Sequence, residues 1–89
     1  MSLPRARAVY DGNISATIYD FAAVGDELPA HSHTDADKHY TIVCRGAIKV
    51  FGPWGEETIV SGDIRRFKAN LMHGFTALEA NSRVVNIKY

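Results

Sequence analysis

The chain has 89 residues, 46% of them hydrophobic, with ten Lys and Arg balancing ten Asp and Glu. That length allows one domain, expected to span residues 1–89, and the even charge excludes a general nucleic-acid binder. No stretch approaches the roughly 18 apolar residues of a membrane span, and with Cys44 as the only cysteine no disulfide can form within the chain, which fits a reducing compartment.

The N-terminus carries arginines but no apolar run of signal-peptide length, so the expected location is the cytoplasm. Residues 6–10 read as a first strand, stopped by Asp11-Gly12-Asn13, and residues 14–21 are richer in strand formers. Gly25-Asp26-Glu27-Leu28-Pro29 reads as a loop, 30–33 as extended and 34–38 as polar loop. Residues 39–45, His-Tyr-Thr-Ile-Val-Cys-Arg, form a strong strand, Gly46 a turn or bulge, and 47–51 the next strand. Gly52-Pro53-Trp54-Gly55 is a reversal, 57–60 a strand, Ser61-Gly62-Asp63 a turn and 64–68 a strand. Residues 73–79 and 83–89 complete the set, separated by Asn81-Ser82. About nine short strands without helical periodicity predict an all-β fold, a small antiparallel barrel or sandwich.

Alternation along 39–45 places His39, Thr41 and Val43 on one face and Tyr40, Ile42 and Cys44 on the other. Both faces are largely apolar. If the histidine face lines the interior, the other needs a cover: a partner subunit, making a homodimer, or a further layer from the same chain.

All four histidines suit one metal site: His31, His33, His39 and His73. Residues two apart on a strand face the same way, so His31 and His33 can reach one ion, and imidazole is a common ligand for transition metals. Separate surface or core histidines are the alternative. Four acids, Asp26, Glu27, Asp35 and Asp37, crowd this region, and Arg65, Arg66 and Lys68 precede His73. Both groups read either as solvated surface or, respectively, as partners of metal-bound imidazoles and as anchors for an anionic substrate.

With their flanking residues, the histidines resemble the two motifs of the cupin superfamily. Gly25 is followed by five residues and His31-Ser32-His33, and His39 by six residues and Gly46. Gly62 is followed by five residues, Lys68-Ala69-Asn70, two more and His73. The resemblance covers about residues 25–46 and 62–77. It implies a small single-domain cupin, a jelly-roll barrel holding one divalent transition metal ion. His39 stands where the family usually has glutamate, after a loop one residue longer than usual. Lys68 and Asn70 replace a proline and a glycine, and Ala77 an asparagine. Asn70 is the mildest change, because asparagine tolerates the left-handed conformation.

Four neutral imidazoles would leave an ion's full charge on the site and favour anionic oxygen ligands. Nitrogen-only ligation suits Zn, Cu, Fe, Ni or Mn. The resemblance implies metal-dependent work on a small oxygenated substrate, of dioxygenase, isomerase or cyclase type. A non-catalytic module that binds a small ligand or metal, and a purely structural site, are the competing readings. No general base stands out. Thr41, Val43 and Phe75 are expected inside near the site and Trp54 as a packing residue.

Overall fold

The computed structural model describes residues 2–32 and 39–89. Nine strands are present in it: β1 Arg5–Asp11, β2 Ile14–Phe21, β3 Glu27–His31, β4 His39–Arg45, β5 Ala47–Gly52, β6 Gly55–Val60, β7 Ile64–Arg66, β8 His73–Ala77 and β9 Ser82–Lys88. They form two sheets, ordered β1-β2-β9-β4-β7 and β3-β8-β5-β6, and every pairing is antiparallel. From β2 onward the chain alternates between the sheets, leaving this pattern only for the β5–β6 hairpin. Such alternation winds a two-layer jelly roll around a single core.

The period-2 pattern of residues 39–45 divides the faces of β4 as the sequence implies. In β4, His39, Thr41 and Val43 are buried while Tyr40 and Ile42 are half-buried and Cys44 is exposed. In β9, Ser82, Val84 and Asn86 point inward. They meet Phe21, Ile48, Val50, Ile59, Phe75 and Ala77 in a core whose side chains are almost wholly excluded from solvent. Towards His39 the core turns polar, where Thr41 Oγ1 donates to Asn86 Oδ1 at 2.7 Å.

Two expectations are corrected. Glu27, Leu28 and Pro29 belong to a strand and not to a loop. β3 lies at the edge of its sheet, where the missing N–H of Pro29 leaves no ladder bond unmade. The strand read at 64–68 stops at Arg66, because Phe67 turns inward to the core and its N–H donates to His39 O. Strand β1 extends the five-stranded sheet at its edge and does not cover that sheet's outer face.

Candidate metal centre

Three strand ends bring three histidines together. His31 ends β3, His39 begins β4 and His73 begins β8. The decisive local feature is a bulge in β3. Leu28 lies opposite Phe75 and His31 opposite His73, so three steps on β3 match two on β8. Strict alternation from the inward Leu28 would point Ala30 at the core and turn His31 away. The extra residue reverses that phase, exposes Pro29 and Ala30, and aims His31 inward.

The His31 and His73 rings lie 4.6 Å apart between centroids, and His39 and His73 5.4 Å. His73 is fully buried, His39 nearly so, and His31 half-buried. His33 lies outside the described residues, as do Asp35 and Asp37. Among the described residues no three His, Cys, Asp or Glu side chains already converge as the ligands of an ion would. The rings form a cluster that stops short of a coordination sphere.

The hydrogen bonds of that cluster determine which nitrogen each ring presents. His31 Nδ1 donates to Pro29 O and His73 Nδ1 to Leu71 O, each at 2.9 Å and each two residues back along the chain. A carbonyl oxygen can only accept, so Nδ1 carries the proton in both rings. In the neutral ring Nε2 is then the lone-pair nitrogen. Both Nε2 atoms are buried within the cluster, as are both ring nitrogens of His39. Burial pushes His73 below the ordinary histidine pKa, and the neighbouring His31 pushes the same way, while the Leu71 carbonyl partly opposes them. The neutral form is the one a metal ligand needs. The donor set therefore fits a borderline transition metal: imidazole nitrogens oriented by backbone carbonyls through their far side.

Aromatic rings close in around the cluster. Phe67 stacks on His73 at 4.1 Å with the planes 7° apart, and Phe75 meets His73 edge-on at 5.7 Å. Phe75, expected inside near the site, is fully buried there. Phe67 is the residue that sequence reasoning missed. It sits beside a basic run, and its only sequence signal is an aromatic ring among charges. Trp54 is half-exposed and reaches towards Phe67 at 6.4 Å.

The acids take structural roles. Asp26 accepts hydrogen bonds from the backbone N–H groups of Ser2 and Ala23, and Glu27 accepts from Thr76. Neither contacts a histidine in these bonds. Arg65 pairs with Glu57 at 2.9 Å.

Solved structures share this architecture closely. An RmlC-like cupin protein from Desulfovibrio desulfuricans superposes with a TM-score of 0.82 at 23% identity, covering 97% of this chain and 82% of that one. This is the cupin fold. KdgF from a Halomonas species shares it with a TM-score of 0.80 and 24% identity over 92% of this chain and 74% of its own. A double-stranded β-helix protein from Klebsiella pneumoniae shares it with a TM-score of 0.83 and 20% identity over 96% and 75%. No protein-family model matches the sequence, and no curated protein sequence matches it. Gly25, Gly46 and Gly62 all have positive φ, and Asn70, in place of a glycine, has φ 65°.

Proposed function

We propose that the chain is a metal-binding cupin whose ion, held by His31, His33, His39 and His73, binds and activates a small oxygenated molecule. The observation that carries this reading is the pair of Nδ1 bonds to Pro29 and Leu71, which turn the Nε2 side of two neighbouring rings into the cluster. The sequence pattern supplies His33. A divalent Zn, Fe, Mn, Ni or Cu ion in such a set supplies Lewis acidity towards an anionic oxygen.

The protein's own contribution is orientation and exclusion of water. The backbone carbonyls of Pro29 and Leu71 hold two rings in one tautomer, and Phe67 and Phe75 wall His73 from solvent. Polarisation of a bound molecule is the chemistry that such an ion among imidazoles would supply. Addition of enolic and phenolic carboxylates to metal-loaded protein should shift the metal's absorption or EPR spectrum and consume one of them. A full panel that does neither overturns the reading.

The depth of His39 and His73 favours a second reading, a closed structural site. A tetrahedral ion held by four imidazoles has no open position. Azide separates the two: a structural ion leaves its spectrum unchanged by azide, and its removal lowers Tm sharply.

The chain is further proposed to act as a homodimer. The outer face of the five-stranded sheet aligns Ile18, Val85, Ile42 and Ile64 in one cross-strand row that begins at Arg7, with Val9, Ala16, Ile87 and Tyr40 in the next, which ends at Arg66. Five strands make this face about 24 Å wide, and β1 leaves it uncovered. A second copy, meeting it sheet to sheet, supplies a layer of matching width and apolar character. The exposed Cys44 supports a reducing compartment such as the cytoplasm.

A further inference from the structure

At the end of the barrel away from the histidines, one cross-strand row of the five-stranded sheet is almost entirely charged. Arg5 lies opposite Asp20, Asp20 opposite Arg83, and Arg83 opposite Arg45. Like charges directly opposite one another on a sheet are destabilising, and Arg45 and Arg83 are such a pair. Asp20 compensates only one of the three guanidinium groups. Both its oxygens are taken by Arg83, at 2.6 and 3.0 Å, while Arg45 reaches the same carboxylate only at 3.9 Å. Arg45 is instead held by its Nε donating to Asn81 O at 2.7 Å, a carbonyl presented by a residue with φ 58°. Three cations and one anion leave an excess of two positive charges. They line a cavity of about 310 Å³ with Phe21, Ala22 and Asn81.

We propose that this cavity binds a small dianionic oxyanion, a phosphate monoester or a dicarboxylate. The charge count matches such a ligand, and each guanidinium presents five donors in a planar fork, of which Arg83 uses two on Asp20 and Arg45 one on Asn81. The Asp20–Arg83 and Arg45–Asn81 bonds hold two of the forks in place before a ligand arrives, which lowers the ordering cost of binding. Six residue steps, from His39 to Arg45, separate this row from the histidine cluster by about 20 Å along the strand. The site is therefore independent of any metal. It also lies at the border of the apolar outer face, where the rim of a docked second copy falls.

The test is an NMR titration of the backbone amides with inorganic phosphate and with succinate at pH 7.5, against chloride at matched ionic strength. Arg5→Gln and Arg45→Gln serve as variants, because neither residue carries the bidentate bond to Asp20. The site predicts saturable shifts confined to the amides near Arg5, Ala22, Arg45, Asn81 and Arg83. Affinity should fall roughly tenfold or more in each variant, the loss expected for one charged hydrogen-bond donor. Whether phosphate or succinate saturates first identifies the ligand type. Shifts that rise linearly as they do with chloride, or saturable binding of equal strength in both variants, overturn the proposal.

Discussion

Several single residues in this molecule are best understood through what they do to a neighbour's unsatisfied groups. Thr41 and Asn86 face each other across β4 and β9 in the interior, and the Thr41 hydroxyl is the donor to Asn86 Oδ1. Asn86 Nδ2 is buried with no hydrogen-bond partner among the described residues, so the pair is already under-satisfied. Thr41→Val should cost about 1–3 kcal/mol by stranding Asn86 Oδ1 as well. Adding Asn86→Leu should recover most of that loss, since both polar groups are then gone. Urea unfolding of the two variants checks this, and a double variant no more stable than Thr41→Val would contradict it.

Asp20 offers a pH test at the same scale. The hydrogen bonds from Arg83 hold its carboxyl below the ordinary carboxylate value. The stability it contributes is present above the unfolded-state value, near about pH 4, and is lost as pH falls through the lower folded value. Asp20→Asn should therefore be less stable than the parent at neutral pH, with the gap closing below about pH 4. A gap that stays constant down to pH 2 would show that the ion pair contributes nothing.

At the scale of elements, legibility in the sequence depended on whether local pattern and tertiary role agreed. Strands β2, β4 and β9 are rich in β-branched and aromatic residues, so their existence could be read directly, and in β4 so could the set of residues that share the His39 face. So could the turns at Gly12, Pro53-Trp54 and Gly62. Strand β3 could not. Its sequence, Glu-Leu-Pro-Ala-His, alternates poorly and contains proline, and only pairing with β8 makes it a strand. Its bulge depends on pairing with Phe75 and His73, far along the chain, so the phase that aims His31 inward has no local signature. That His31, His39 and His73 would be neighbours was legible in their spacing, through their register with the glycines. The stacking of Phe67 on His73 was not, because it follows from the end of β7 turning inward beside His39.

Gly46 is the element-scale position most open to test. It joins β4 in one sheet to β5 in the other at φ 87°, and a Cβ there would overlap the Ser82 side chain. Ser82 is itself buried and bonded to Ala47 and Glu79, so it has no room to yield. Gly46→Ala should lower stability by about 1–3 kcal/mol from backbone conformation alone, more with the overlap. A Tm within a degree of the parent would contradict this account of the sheet crossing.

The whole molecule measures 33 × 28 × 23 Å and joins two regions of opposite character. One barrel end gathers the imidazoles. The other gathers Arg5, Arg45 and Arg83. Between them, on the outside of the five-stranded sheet, lies the apolar face. Light scattering should give twice the 9.8 kDa of one chain, and Ile42→Glu, which places a charge at the centre of that face, should return it to a monomer. A wild-type protein that stays at one chain's mass at micromolar concentration would contradict the homodimer.

The central claim is that the histidines hold an ion. Elemental analysis of untagged protein, alongside His31→Ala and His73→Ala with circular dichroism as a check on folding, tests it most directly. The account predicts one transition metal ion per chain in the parent and its loss from both folded variants. A folded parent with no stoichiometric metal, or a folded His73→Ala variant that keeps a full equivalent, would contradict it.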